Sequence, residues 1–229
     1  MNRDISVFFK IEYVKKRRTS NVWGDRLSFI TFGYGKADIN TLGRHKLNLH
    51  PHCVRTNSLN ILRLTGWVHK NVSDPETIAG HMYRMAMLSF LLNNDENLDT
   101  MSLIHDLAEC IVGDITPHCG IPPDVKHKLE DEAMENICEL LGDRGLTILE
   151  IFREYEKQET PEAKYVKDLD RLDLIMQAYE YEKRDNIPGK LEEFFLSNDG
   201  KIGHPFIKKL ASEITATRQA LCSSSTSSI

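Results

Sequence analysis

Apolar side chains recur every three or four residues from Leu59 to Leu221, a spacing typical of amphipathic helices. The pattern is clearest after Thr160, where Val166, Leu169 and Leu172 fall on one face. Helices are predicted at about Ser73–Leu92, Asp99–Ile111, Pro123–Leu141, Leu146–Gln158, Thr160–Arg184, Lys190–Phe195 and Pro205–Leu221. No strand-rich stretch or internal repeat separates them, so the pattern predicts an all-α domain.

Helix-start signals stand at two of these boundaries. Ser73 and Asp74 precede Pro75, which favours a helix start because a capping side chain is followed by proline in the first turn. Thr160 precedes Pro161 in the same way. We therefore expect Ser73 or Asp74 to cap the helix that carries His81.

The ends of the chain differ from this helical part. Glycine and proline break any long periodicity in residues 1–57, which we interpret as an irregular, poorly ordered N-terminal extension with a short strand at Leu27–Phe32. Residues 58–221 are predicted to form the helical domain. Residues 222–229 are rich in serine, and this composition predicts a disordered tail.

The composition of the chain argues against several classes of protein. A chain of 229 residues with a net charge of -5 is not built to coat a nucleic acid polymer, because such binding depends on lysine and arginine neutralising phosphates. Five cysteines without a Cys-x-x-Cys pair indicate neither a disulfide framework nor a structural zinc site. No apolar run is long enough to span a membrane. We expect a cytoplasmic or nuclear protein that is neither secreted nor membrane-bound.

Polar residues interrupt the predicted apolar stripes at His81, at the pair His105-Asp106 and at Asp170. Burying a carboxylate costs several kcal/mol unless it is paired or bound to a cation. Imidazole and carboxylate together suit divalent transition metals. One His-Asp dipeptide is near chance in a chain with nine histidines, so the pair alone is weak evidence.

The neighbours of that pair strengthen the case. Glu109 follows His105 by four residues, which places both on one side of the predicted helix. Asp114 comes just past the predicted helix end. We interpret the segment as a functional cluster. Trp67 leaves two alternatives open, stacking on a base or sugar and anchoring the core.

Several motifs together resemble the HD-domain phosphohydrolases, most closely the 5'-deoxynucleotidases of their eukaryotic HD-domain-containing branch. The motifs are His81, Leu103–Glu109, Gly113–Pro117, Ala163–Asp170, and Thr65–Val68 with Gly80–Ala86. The resemblance covers about Ile61–Leu221. It implies a compact HD-domain helical bundle, usually a homodimer, that hydrolyses deoxynucleoside 5'-monophosphates with a divalent cation such as Mn, Co, Mg, Fe or Zn.

The resemblance also implies roles for individual residues. The metal ligands would be His81, His105, Asp106 and Asp170. Asp168 is a rival for the last position, and the Val-Lys-x-x-Asp spacing favours Asp170. Glu109 and Asp114 would be catalytic and, with the Ile115 backbone, could hold a second metal. The residues implied in substrate binding are Trp67, Lys70 and Asp114.

This chain departs from the resemblance in two places. Bacterial relatives carry an arginine for the substrate phosphate directly before the tryptophan, and here that residue is Gly66. Leu64 stands where eukaryotic relatives carry arginine. Arg63 or Lys70 are the candidate substitutes. The family's longer first helix is the second departure, since only about Asn57–Leu64 can serve here.

Two alternatives to a 5'-deoxynucleotidase remain at this point. One is another HD-class nucleotide phosphohydrolase or a phosphodiesterase, although the chain has no His-His dipeptide of the kind expected for a two-metal phosphodiesterase. The other is a helical binding protein without catalytic activity, which the missing arginine motivates.

Overall fold

The computed structural model describes residues 56–91 and 98–226, apart from the side chains of 224–226. The predicted extension and its strand at Leu27–Phe32 lie outside this part, except that residues 56 and 57 are helical. In the described ranges β pairing is limited to one isolated bridge between Arg63 and Thr77, so the all-α prediction is confirmed. The helices are α1 Thr65–His69, α2 Ile78–Ser89, α3 Leu98–Ile104, α4 Glu109–Val112, α5 Pro123–Glu139, α6 Asp143–Lys157, α7 Pro161–Asp185, α8 Glu192–Leu196 and α9 Pro205–Thr226, with a short 3-10 turn at Pro117–Cys119.

The longest of these helices, α7, is central to the packing. Thr160 caps it as predicted, because its side chain accepts a hydrogen bond from the Ala163 backbone N–H at 3.2 Å. Its apolar positions, among them Val166 and Leu169, are buried. It contacts α2, α3, α6, α8 and α9. Residues on α7 can therefore meet residues from most of the domain.

Helix α2 joins two clusters of buried apolar side chains. Ile78 and Met82 pack into one cluster, and Met85 packs into the other. His81 lies on the same helix and is 5% exposed. The packing of α2 on both sides holds the His81 ring in the interior of the domain.

The predicted start of this helix is wrong. Thr77 provides the N-cap, since its hydroxyl accepts from the Gly80 backbone N–H at 3.1 Å. Ser73 and Asp74 instead lie beside the end of α7, where their backbone carbonyls accept hydrogen bonds from Arg184. A tertiary contact with Arg184 thus holds the two residues that the local sequence suggested as a helix cap.

The predicted helix Asp99–Ile111 is interrupted between α3 and α4. The His105 ring donates from Nδ1 to the Ser102 carbonyl at 2.8 Å, and a regular helix would use that carbonyl for the Asp106 N–H. The backbone then forms i→i−3 bonds, including Glu109 N to Asp106 O at 3.1 Å. The pair His105-Asp106 therefore lies in a tight turn instead of on a continuous helix.

The last helix is longer than predicted. α9 continues through Thr226, so the first residues of the predicted disordered tail are helical. The Ser223 hydroxyl donates to the Gln219 carbonyl one turn earlier at 2.9 Å, a bond that serine forms within helices. Among the described helices, none combines the length and the apolar character that crossing a membrane requires.

Candidate functional site

Four of the predicted ligands converge where α2, the turn after α3, and α7 meet. His81 Nε2 lies 3.5 Å from Asp106 Oδ2 and 3.6 Å from Asp170 Oδ1. His105 Nε2 lies 3.1 Å from the same Asp106 oxygen. The ligand atoms of His81, His105 and Asp106 all lie within 4.8 Å of one another. Residues distant in sequence thus form one cluster, as the sequence predicted.

These separations fit a divalent cation. Metal–ligand bonds of about 2.0–2.2 Å place neighbouring ligand atoms about 3.0–3.6 Å apart at angles of about 90–110°. His105 Nε2 is buried without a hydrogen-bond partner, although it lies close to Asp106. Its Nδ1 already donates to Ser102, so Nε2 faces the carboxylate oxygen either with a lone pair or, in the imidazolium form, with a proton. Two acceptors this close in the interior require a positive charge between or beside them.

Both imidazoles are held so that Nε2 faces the cluster. The Ser102 carbonyl fixes the His105 ring, and the Asp173 carboxylate accepts from His81 Nδ1 at 2.8 Å. A histidine that binds a metal through one nitrogen is usually oriented by a hydrogen bond at the other. The candidate site therefore has hydrogen bonds of the kind that orient metal-binding histidines.

The charges around His81 favour a cation. Burial disfavours its imidazolium form, but the hydrogen bond with Asp173 and the charges of Asp106 and Asp170 raise its pKa to about 9. Burial likewise opposes charge on Asp106, yet the neighbouring His105 and His81 hold the pKa of this carboxyl well below its usual range. The cluster is thus negative enough to retain a proton, and a metal ion can take the place of that proton.

Glu109 and Asp114 lie on the pocket side of this cluster. Burial, with the charges of Asp106 and Asp114, raises the pKa of Glu109 well above its usual range, and Glu109 Oε2 is buried without a partner. The Asp114 carboxylate accepts from the Thr65 backbone N–H at 2.6 Å. Gly113 has φ +75°, a conformation that glycine adopts readily and that turns the chain before Asp114.

The rival aspartate Asp168 has a different environment from Asp170. Its Oδ2 accepts from the backbone N–H groups of Gly203 and His204 at 2.9 and 2.8 Å, and its Oδ1 pairs with Arg171. It therefore ties α7 to the segment before α9. Asp170 instead lies beside His81, and Lys167 holds its other oxygen at 2.7 Å.

A pocket of about 470 Å³ opens over the cluster. Acidic side chains outnumber basic ones in its lining; the acidic residues are Glu76, Asp106, Glu109, Asp114, Asp170, Asp173 and Glu193. The basic residues in the lining are His81, His118, Lys126 and Lys167, and Ile115, which is 8% exposed, lines it as well. An anionic substrate would need a cation to offset so much negative charge.

Trp67 takes the second of its two predicted roles. Its ring is 1% exposed and packs against Tyr181 at 5.2 Å and Phe194 at 4.5 Å between centroids. Its indole N–H donates to Glu76 at 3.1 Å. Trp67 is therefore a core residue that also contributes to the pocket lining.

The cations predicted to replace the missing arginine are committed elsewhere. Lys70 Nζ pairs with Glu193 at 2.5 Å, and Arg63 pairs with Asp74 at 3.3 Å. Neither residue lines the pocket. A Cβ at Gly66 would already lie 3.4 Å from the Phe194 ring, so this aromatic side chain occupies the space beside it.

A hydrogen-bonded network behind His81 was missed by the sequence reasoning. Arg84 donates from Nε to Asp173 Oδ1 at 2.5 Å and from its terminal nitrogen to Glu76 Oε2 at 2.6 Å. Asp173 is completely buried. Its spacing of three residues from Asp170 on the same helix was the available signal.

Comparison with known proteins agrees with this geometry. Residues 60–211 match the family model described as HD domain. The bovine (Bos taurus) protein named 5'-deoxynucleotidase HDDC2 is 44% identical over 184 residues, which cover 78% of this chain and 89% of that protein. The mouse (Mus musculus) protein of the same name is 47% identical over 161 residues, covering 68% and 81%.

A solved structure supports the same assignment of fold. The crystal structure of the PH0347 protein from Pyrococcus horikoshii OT3 matches with a TM-score of 0.59 at 29% sequence identity, covering 74% of this chain and 98% of that one. The family model spans more than half of the chain and contains the four residues of the cluster. The chain belongs to the HD domain family.

Proposed function

We propose that this protein is a metal-dependent 5'-deoxynucleotidase, a phosphoric monoester hydrolase that converts deoxynucleoside 5'-monophosphates to deoxynucleosides and phosphate. The observation that carries the proposal is the convergence of His81, His105, Asp106 and Asp170 beneath an open pocket. The volume of about 470 Å³ lies in the range of small-molecule sites. Relatives 44–47% identical carry the name 5'-deoxynucleotidase.

The four clustered residues are the proposed ligands of a divalent cation, which is Mn, Co, Mg, Fe or Zn. When bound, the cation supplies Lewis-acid activation of the phosphoryl group and of water. Phosphate monoesters hydrolyse very slowly without catalysis, so strong activation is required. Glu109, Asp114 and the Ile115 backbone are the proposed ligands of a second cation.

Glu109 is the proposed proton carrier. Its Oε2 lies buried at the pocket without a competing partner, and burial raises its pKa, so it binds a proton more readily than an exposed glutamate does. In the proposed reaction a water oxygen bonds to phosphorus as the bond from phosphorus to the 5' oxygen breaks. Glu109 accepts the proton of the water and returns it to the leaving 5' oxygen. Asp114 keeps the Thr65–Trp67 segment against the site through its bond to Thr65.

The remaining parts of the proposal concern partners and location. We propose that the partner is a small nucleotide and not a nucleic acid polymer, since acidic side chains outnumber basic ones in the pocket lining. The family resemblance supports the proposal of a homodimer, and a cysteine pattern without a disulfide framework supports a location in the cytoplasm or nucleus. Sedimentation and fluorescence microscopy of the tagged full chain test these two points.

Phosphate release from a panel of deoxynucleotides and ribonucleotides, with Mn or Co added, tests the activity. We expect release from deoxynucleoside 5'-monophosphates, and loss of release in His105→Ala. A wild-type protein that binds metal but releases phosphate from none of the deoxynucleotides would refute the proposal. Adding cyclic nucleotides and deoxynucleoside triphosphates to the panel separates this function from the other HD-class activities.

A protein with no bound metal by elemental analysis, whose His105→Ala variant unfolds at the wild-type temperature, would instead be a helical binding protein. We expect the opposite on both measurements. His105 Nε2 has no hydrogen-bond partner among the described residues, and this supports the proposal that a cation binds here.

A further inference from the structure

The substrate's phosphate requires a positively charged partner in a pocket whose lining carries more acidic than basic side chains. The two substitutes predicted from sequence, Arg63 and Lys70, lie outside the lining and are already paired. Within the described residues, the lysines that line the pocket are Lys126 and Lys167. Which of these two lysines can bind a phosphate depends on how firmly neighbouring residues hold its ammonium group.

Lys167 is held tightly by its own surroundings. Its Nζ donates to Asp170 Oδ2 at 2.7 Å and to the Tyr155 hydroxyl at 3.2 Å. Moving it toward a ligand would break a charge-assisted bond and leave the Asp170 oxygen without its partner. Lys167 therefore serves to orient a proposed metal ligand.

Lys126 is held much more loosely. Its ion pair with Glu130 is 3.4 Å long, beyond the usual 2.7–2.9 Å of a charge-assisted hydrogen bond, and its side chain is one-third exposed. It carries its charge throughout the working pH range: burial opposes that charge, but Glu130 and Glu109 raise its pKa. A flexible four-carbon side chain with free donors can turn into the pocket.

The position of Lys126 places it on the reacting side of the site. Its charge acts on both Glu109 and Asp114, the acidic residues that flank the proposed substrate position. We propose that Lys126 binds the phosphate of the nucleotide and takes the place of the arginine that this chain lacks at Gly66. This inference rests on the proposed nucleotidase function and deepens it.

Inorganic phosphate is the probe that separates this inference from the activity itself. Its binding to the manganese-loaded full-length protein is measured by calorimetry, with no turnover involved. We expect Lys126→Met to weaken phosphate binding about tenfold or more, because it removes one charge-assisted bond. Lys126→Arg keeps the charge, and we expect it to restore most of the binding.

Two control variants sharpen the result. Lys128→Met removes a lysine from the same helix, 77% exposed and 3.8 Å from Glu132, and should leave phosphate binding unchanged. The double variant Lys126→Met with Glu130→Gln replaces the buried carboxylate by a neutral amide, which needs no cation to balance its charge. If that variant regains phosphate binding, Lys126 only neutralises Glu130 and the inference is wrong.

Kinetics and stability give independent outcomes. For Lys126→Met we expect a higher KM for deoxynucleotides, a weaker inhibition by phosphate, and unchanged manganese affinity. An unchanged KM and unchanged phosphate affinity would overturn the inference even if the wild type is an active nucleotidase. A wild type that binds phosphate through Lys126 but hydrolyses no deoxynucleotide would sustain the inference and refute the proposed function.

Discussion

Replacing Asp173 by asparagine tests whether the residue behind His81 sets the metal affinity of the site. The Asp173 carboxylate accepts from His81 Nδ1 at 2.8 Å and from Arg84 at 2.5 and 2.6 Å, and it is fully buried. Asparagine has the same shape but only one accepting oxygen, so its amide group must face the N–H of His81 or of Arg84. One buried donor then lacks an acceptor, and the negative charge behind His81 is gone.

The size of the effect follows from what is lost. Removing the partner that orients a metal-binding histidine typically lowers metal affinity or activity by about 10–100-fold, or about 1.4–2.8 kcal/mol. A buried donor without an acceptor costs about 1–3 kcal/mol of folding stability. We therefore expect Asp173→Asn to bind manganese at least about tenfold more weakly and to unfold at a lower temperature.

Calorimetric titration with Mn²⁺ and thermal unfolding measure the two effects separately. Asp168→Asn is the matched control, because Asp168 lies on the same helix and is 5% exposed but bonds the backbone of Gly203 and His204. It should lose stability and keep manganese affinity. The reasoning fails if Asp173→Asn binds manganese like the wild type, or if both variants lose affinity equally.

Two further predictions concern the ion pair between α7 and α9. Arg218 binds the fully buried Glu182 at 2.8 Å, so we expect Arg218→Leu to lower the free energy of unfolding by about 3–5 kcal/mol in urea denaturation; a loss below about 1 kcal/mol would contradict this. Burial opposes the charge of Glu182, but Arg218 lowers the pKa of its carboxyl group. The stabilisation from the ion pair is therefore present above the pKa of about 4.3 in the unfolded chain, and it is lost as the pH falls through the lower pKa of the folded state. Denaturation between about pH 7 and pH 3 should therefore show the wild type and Arg218→Leu converging in stability at the acidic end. A difference that stays constant over this range would refute the assignment.

Local sequence patterns predicted the helices because each helix carries its own apolar period. These predictions failed where a side-chain hydrogen bond, and not the apolar period, determines where a helix begins or ends. The start at Ser73 was wrong because Arg184, more than a hundred residues later, binds the backbone there. The helix through His105 was wrong because its ring takes the Ser102 carbonyl, a bond that no periodicity records.

The predicted ligands could be recognised in the sequence because each is a polar group on an otherwise apolar helix face. Burying such a group is unfavourable unless it has a partner. Lys126 could not be recognised in this way, because a lysine near the start of an amphipathic helix is common. Only the fold shows that it lines the same pocket as Glu109. The same limit applies to Lys70, which was a candidate substitute for the missing arginine but pairs with Glu193.

The interrupted helix has a functional consequence of its own. On a regular helix His105 and Asp106 would project about 100° apart, so that both could not direct ligand atoms to one point as easily. The tight turn brings His105 Nε2 and Asp106 Oδ2 to 3.1 Å. The bond from the His105 ring to the Ser102 carbonyl interrupts the helix and also fixes the tautomer that leaves Nε2 free. A single hydrogen bond thus shapes the backbone and orients the imidazole, which explains how two adjacent residues direct their side-chain atoms to one point.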